Sequence, residues 1–297
     1  MQVAKKKKDT WLFVILFVVL FLYAALMISL LCWAFFTSVK SPIEFRNNKI
    51  WIPHGHIWQW SWSNIGMVFQ HFSMPVFANG TMHTVNFWQM LLYTLLYAGV
   101  GAFILAVVPC LVAYVTAKYK FRFNAVIYGI VIVTMALPIV GAAPSEIRVL
   151  KLLGMYNTIW GNWIQKLHFL GMYFLVFYAA FKSVPNEYME AAYVDGAGEY
   201  QVLFSIMLPL IRTTFSAVML IKFIDLWNDY QTPLLYLPSY PTLAVGLYSL
   251  GESTSAIMSR VPMRMAACMI LMTPILVLFI AFRNQLMGNL TMGGVKD

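Results

Sequence analysis

The chain has 297 residues, of which 61% are hydrophobic and 10% charged, against roughly 25% charged in soluble domains. A soluble globular fold is therefore excluded and an all-α polytopic membrane protein is expected. The net charge of +9 does not point to nucleic acid, because Lys5 to Lys8 supply four of those charges and the others are scattered at the ends of apolar runs.

From Thr10 to Val39 there is no charge, a run long enough to cross a core of about 30 Å. A signal peptide has a shorter apolar run and a small-residue cleavage site, whereas Ala24-Ala25 is followed by more apolar sequence through Phe36. The first span is read as retained, with the basic cluster holding the N-terminus in the cytoplasm. Residues 1–87 are taken as this tail, the first transmembrane helix and a polar outer loop. That loop carries Trp51, Trp58, Trp60 and Trp62 and four histidines, His54, His56, His71 and His83. The tryptophans suit either sugar stacking or an aromatic belt at the membrane interface, and the belt is the preferred reading. His54 and His56 lack the further ligands that complete a tetrahedral metal site, so no metal is expected.

A second span lies within Thr84 to Ala117, where Ala98, Gly99, Gly101 and Ala102 permit close helix contact and Pro109 is expected to kink the helix. Lys118, Lys120 and Arg122 mark a cytoplasmic turn. A third span is expected within Phe123 to Ser145, carrying Pro138. The fourth is short, Leu167 to Phe181, and needs residues from Trp160 to Gln165 to cross. His168 inside it has no acidic neighbour in sequence and reads as an interfacial side chain. Cys32, Cys110 and Cys268 all lie inside apolar runs and read as packing residues, not as a disulfide framework.

Between the fourth and fifth spans stands a polar stretch, Glu187 to Leu210, with four carboxylates and no Lys or Arg. Glu187 to Tyr193 reads as a short amphipathic helix with small Ala191 and Ala192 on one side, broken at Asp195-Gly196 and restarting through Glu199 to Leu208. Such an L-shaped element is what a membrane protein offers to a soluble partner. The fifth span, about Leu210 to Tyr230, places Lys222, Asp225 and Asp229 at spacings of three and seven, on one helical face. Ionisable groups at that depth are costly unless paired or facing water. Two readings stay open, a self-neutralising Lys222–Asp225 pair and a face lining an aqueous route. A Pro-rich outer segment (Pro233, Pro238, Pro241) and a sixth span, Met265 to Phe282, complete the chain.

The string E-A-A-Y-V-D-G-A at Glu190 to Ala197, followed by L-P-L at Leu208 to Leu210, resembles the EAA loop of ABC importer permeases. The likeness extends from about Trp88 to Asp297 and is nearest the MalG-like branch of carbohydrate permeases. The Ala113 to Arg122 turn resembles that family's A-Y-A-x-A-R segment, with Lys118 in the Arg position. Leu153 to Thr158 is similar to its L-G-L-x-N-T, and Phe223 to Leu234 to its F-x-x-x-W-N-x-x-x-x-P-L, which contains Trp227 and Asn228. Thr242 to Leu250 is similar to T-L-x-x-G-L. The tail resembles G-L-T-x-G-A-V-K, with Asn289 and Gly294 as departures.

The resemblance implies six transmembrane helices in a type I importer bundle, both termini cytoplasmic, with residues 88–297 as the permease core and 183–210 as the loop facing the ATPase. It implies an ATPase contact at Glu190, Ala191, Ala192, Asp195, Gly196, Ala197 and Pro209, and it supports the fifth span as lining the translocation route, with Lys222, Asp225, Trp227, Asn228 and Asp229 as the candidate residues. It implies a second related permease, an ATPase dimer carrying ATP and Mg, an extracellular solute-binding protein, and a multi-pass place in a prokaryotic plasma membrane. The solute is then a sugar or oligosaccharide; the alternatives are a non-sugar importer or an ion-coupled carrier. With no G-x-x-x-x-G-K-[ST] loop the chain is expected to bind no ATP, and with no H-E-x-x-H or G-x-S-x-G to be no enzyme. Counting charges on this topology puts 11 Lys or Arg inside (Lys5 to Lys8, Lys118, Lys120, Arg122, Lys182, Arg212, Arg283, Lys296) and 7 outside (Lys40, Arg46, Lys49, Arg148, Lys151, Lys166, Arg260).

Overall fold

The computed structural model describes residues 2–78, 80–137, 141–252 and 255–288. Pro138 and the tail residues Asn289, Gly294 and Lys296 lie outside them. The chain divides into two compact units, Met1–Phe72 with Ser249–Thr273, and Ser73–Tyr248 with Pro274–Asp297.

In the first unit, helix α1 (Gln2–Ser38) carries the long uncharged run, and residues 12–31 are exposed at every position. A helix apolar on all sides and uncovered by protein needs lipid around it. Its C-terminal end is anchored by polar contacts. Fully buried Lys40 donates from Nζ to the carbonyls of Asn48 (2.8 Å) and Trp51 (2.6 Å), and Asn64 Nδ2 donates to those of Ser38 and Lys40. Trp60 and Trp62 stack at 6.2 Å and meet Phe36 and Phe35 edge-on, so these two tryptophans are packing residues. Trp51 and Trp58 remain exposed. Two short helices follow α1, α2 (Pro42–Asn47), capped by Ser41 Oγ on the Glu44 N–H, and α3 (Ser63–His71).

The second unit opens with a short β-hairpin, in a stretch expected to be outer loop, before the helices that make up the rest of it. Strands β1 (Ser73–Ala78) and β2 (Thr81–Asn86) form an antiparallel hairpin in which Ala78 pairs with Thr81 and Gly80 has φ +78°. The sequence signal is the Asn79-Gly80 dipeptide, which favours the two-residue turns that match strand twist. The following helix α4 (Phe87–Lys118) therefore begins three residues later than Thr84, at an Asn86–Gln89 capping box. Then come α5 (Asn124–Ala136), α6 (Ala143–Leu152), α7 (Ile159–Gln165), α8 (Met172–Ser183), α9 (Glu187–Val194) and α10 (Glu199–Leu210). They are followed by α11 (Arg212–Asn228), α12 (Gln231–Tyr236) and α13 (Leu243–Ser249). The last helix, α14 (Val261–Gly288), begins in the first unit and ends in the second.

An apolar helix stands at each of the six expected span positions, but the lengths differ. Among the described residues α1, α4 and α14 are long and apolar enough to cross a membrane, and α10 with α11 makes a fourth if the pair, bent by 77°, is one span. Helix α5 has 13 residues, about 20 Å at 1.5 Å per residue. The expected fourth span is not one helix: Ile159–Gln165 forms α7, and Gly171, with φ +123°, separates it from α8. Helix α4 continues through Pro109 and contains a π-helical turn, Leu95–Val100; a second π turn, Val202–Met207, lies in α10.

The core of this unit is built from size complementarity. Ala106, Cys110, Ala113 and Ala117 form a buried small-residue stripe on α4, and Phe174, Phe177 and Phe181 form a fully buried stripe on α8. Both repeat at three and four residues, so each lies along one helical face. Small residues let the backbones approach, and the rings supply the dispersion contacts that hold apolar helices together where water drives nothing. Met189 and Ala192 of α9, and Val202, Leu203 and Met207 of α10, join the same cluster, so the polar elbow is fixed to the helices through its apolar side.

Candidate functional site

Helix α9 ends where the sequence places the break. The N–H of Ala197 donates to the Ala192 carbonyl (2.9 Å), and that of Gly196 to the Tyr193 carbonyl (3.0 Å). This is the paired pattern of a Schellman motif, which needs a left-handed residue, and Gly196 supplies φ +84°. The chain restarts three residues on at α10, and the angle between α9 and α10 encloses an open groove of about 690 Å³. Glu187, Tyr188, Ala191, Asp195 and Gly196 line it on one side, Gln201 and Ile206 on the other.

Two staples fix the elbow to the end of α4, and neither was foreseen from sequence. Lys118 Nζ donates to the Val184 carbonyl (2.5 Å) and to Asn186 Oδ1 (3.0 Å), placing a cation on the C-terminal end of α8. This gives a physical role to the position that resembles the family's Arg. On the other side, Tyr119 and Tyr193 both donate their hydroxyls to Glu199 Oε2, the second at 2.7 Å. Tyr114 OH lies 3.1 Å from Tyr119 OH. The hydrogen bonds from Tyr119 and then Tyr193 hold the Glu199 carboxyl below the usual carboxylate range, while burial and the bond to Glu199 push the Tyr119 hydroxyl upward.

A pH dependence follows. The stabilisation from Glu199, whose folded value is lowered, is present above its ordinary value of 4.5 and is lost as pH falls through the lowered one. Protection from hydrogen exchange at residues 193–199, taken relative to the intrinsic exchange rate at each pH, is therefore expected to stay constant from neutral pH down to about the ordinary carboxylate value and to fall only below it. Glu199→Gln should exchange faster at neutral pH and show no acid step; an unchanged acid step in that variant would remove Glu199 as its cause.

The elbow residues singled out from sequence are not equivalent. Ala191, Asp195 and Gly196 are exposed in the groove, Ala197 is half-buried, and Ala192 is buried at its base, so the two alanines do not share a face. Glu190 is exposed but does not line the groove; Glu187 is the glutamate that does. Pro209 also lies elsewhere. With Phe103, Val107, Leu111 and Phe215 it borders an apolar groove of about 680 Å³ between α4 and α11.

The polar face expected on α11 separates into two sites, because the helix ends at Asn228 and Asp229 leaves its surface in extended backbone. Lys222 Nζ lies 3.4 Å from Asp225 Oδ2 and 4.5 Å from the Tyr173 ring centroid, with the two side chains 24% and 55% exposed. Asp229 instead accepts from Tyr97 OH (2.7 Å) and from the Thr232 N–H (3.0 Å). Buried Lys166 sits 4.4 Å over the Tyr97 ring and donates to Asn162 Oδ1. Gly101 makes that packing possible, since a Cβ there would approach Leu226 Cδ1 to 2.9 Å and the Lys166 stem to 3.2 Å. Trp227 is buried, and Asn228 Nδ2 donates back to the Ile224 carbonyl (2.9 Å).

The Leu153 to Thr158 run has a structural task as well. Asn157, at φ +58°, exchanges hydrogen bonds with Ser239 through its side chain and donates its N–H to the Tyr236 carbonyl (3.1 Å), tying the loop to the Pro-rich segment.

Residues 106–290 match the family described as "Binding-protein-dependent transport system inner membrane component". The chain belongs to this family. The elbow, its staples and the α11 polar groups all lie within the matched residues or at their edge. Among similar proteins, the melibiose/raffinose/stachyose import permease protein MelC of Bacillus subtilis is 27% identical over 68% of this chain and 74% of its own length. The diacetylchitobiose uptake system permease protein NgcG of Streptomyces coelicolor is 25% identical over 92% of this chain and 86% of its own. A chain from the crystal structure of a bacterial ABC transporter involved in the import of the acidic polysaccharide alginate matches with a TM-score of 0.73, over 93% of this chain and 97% of that one. At 19% identity that likeness shows the fold. The chain is thus a membrane permease component of the ABC importer class that its motifs resemble.

Proposed function

We propose that this permease carries a sugar or oligosaccharide across a prokaryotic inner membrane, driven by ATP hydrolysed on separate subunits docked at the elbow. The observation that carries the reading is the open groove at the α9–α10 break, a concavity of small and apolar side chains edged by Glu187, Asp195 and Gln201, on a segment fixed by buried contacts on its other side. A rigid lever of this kind transmits a push from a soluble partner to α8 and α10 without deforming, because packed cores shift as units. Small Ala191 and Gly196 leave room for a partner side chain, and Glu187 and Asp195 offer acceptors to a cation. In this reading the elbow and both termini face the cytoplasm, a second related permease completes the pathway, and a solute-binding protein delivers from outside. The 77° bend between α10 and α11 is the joint about which alternating access turns. The sugar class is supported by the names of MelC and NgcG.

The test is transport by the complex reconstituted with its ATPase and binding protein, assayed against a panel of oligosaccharides, amino acids and inorganic ions. Uptake of at least one oligosaccharide, dependent on ATP, is expected. Uptake confined to amino acids or ions, or persisting without ATP, would contradict the proposal.

A further inference from the structure

Charge counting leaves seven cations on the side that should be poor in them, and the structure accounts for four. Lys40 is buried on carbonyls, Lys166 is in the Tyr97 cluster, and Arg148 and Lys151 lie together on α6, with Lys151 4.9 Å over the Tyr156 ring. The other three, Arg46, Lys49 and Arg260, converge on one groove of about 680 Å³ in the first unit. Its remaining walls include Ile43, Phe45 and Pro262. Among the described residues no carboxylate lines it. Glu44, the one acid between Lys40 and Phe72, is turned to His54, accepting from its N–H at 2.6 Å. Among the described residues none of the three cations is in a salt bridge.

Position narrows the occupant. The groove lies where α1 has just ended at Ser38 and α14 begins at Val261, two helices long and apolar enough to span. It is therefore at the height where hydrocarbon gives way to headgroups, with the uncovered apolar surface of α1 leading away from it. Ile43, Ile50 and Trp51, exposed beside the cations, suit the same boundary layer and not open water. The groove also receives Val261 and Pro262, the first residues of a 28-residue helix, whose dipole favours an anion at that end.

We propose that this groove is a binding site for the phosphate headgroup of an anionic lipid, held by Arg46, Lys49 and Arg260, with the acyl chains laid along α1. The site fixes the end of the first helix to the start of the last within one unit, and so ties the permease to the lipid composition around it.

The experiment titrates fluorescent phosphatidylglycerol and phosphatidylcholine into the detergent-solubilised full chain. Each basic side chain near an anionic surface is worth about fivefold in partitioning. Phosphatidylglycerol is therefore expected to bind at least about tenfold more tightly, less so at high salt. Arg46→Gln, Lys49→Gln and Arg260→Gln together should reduce the preference to within about twofold, each single change should weaken it by about fivefold, and Arg148→Gln with Lys151→Gln should leave it intact. Equal binding of the two lipids by the wild type would overturn the proposal, as would a preference that survives the triple change and all three singles. Displacement of the lipid by millimolar inorganic phosphate would reassign the groove to a free anion and likewise remove the lipid.

Discussion

Replacing Gly196 by Val is expected to leave the transporter assembled and to lower both uptake and solute-stimulated ATP hydrolysis by more than about tenfold, on the footing that a left-handed residue costs about 1–2 kcal/mol once it carries a Cβ. An added Cβ at Gly196 meets no atom of this chain within 4 Å, so the effect comes from the backbone and not from crowding. At φ +84° a β-branched residue has no comfortable rotamer, and relaxing φ breaks the bonds from Gly196 to Tyr193 and from Ala197 to Ala192. The groove then changes its angle while the buried side of α9 stays packed. A graded series separates this from simple loss of fold. Gly196→Asn, which tolerates the left-handed region, should stay nearest the wild type, Gly196→Ala should fall between, and Gly196→Val should be worst. Equal activity across the series would show that the break is only a helix end.

The second large effect distinguishes the two carboxylates of the α11 region. Asp229→Asn removes the charge of a half-buried carboxylate and weakens the acceptor for buried Tyr97, whose ring buried Lys166 covers. Weakening this hydrogen bond to a charged acceptor is expected to cost about 1.5–3 kcal/mol and to lower the yield of assembled, thermally stable complex. Asp225→Asn should cost at most about 1 kcal/mol, because the Lys222–Asp225 contact is long and its acid is 55% exposed. If Asp225→Asn changes uptake at wild-type stability, that face lines the aqueous route. If Lys222→Met with Asp225→Leu restores what either single change loses, the pair is neutralising and nothing more. Thermal unfolding and uptake measured on the same preparations decide between them.

These contrasts show which parts of the site a reader of the sequence can recover. Asp195-Gly196 announces the elbow because glycine after a helical run has a local backbone meaning, and Asn86 with Gln89 announces the start of α4 in the same way. The hairpin was legible too, in Asn79-Gly80 between pairable runs, but aromatic composition disguised it as loop. Other features have no local signal. Tyr119 and Glu199 are 80 residues apart, Tyr97 and Asp229 are 132 apart, and only the packing of α4 against α8 and α11 brings them together. Helical spacing placed Asp229 on the Lys222 face correctly for a continuing helix; the helix stops one residue earlier. The division between α7 and α8 escaped for a related reason, since Gly171 in an apolar run reads as a small packing residue until its φ is known.

The proposed function requires that the α9–α10 groove receive a soluble ATPase on the cytoplasmic face. Gln201→Cys, at the groove, and Trp58→Cys, exposed on the Trp-rich loop, carry the same photocrosslinker in the full complex held in sealed vesicles. A crosslink from position 201 to the ATPase, altered by ATP, is predicted, with none from position 58. Crosslinking of the ATPase from position 58, or from neither position while the complex still hydrolyses ATP in response to solute, would contradict the account.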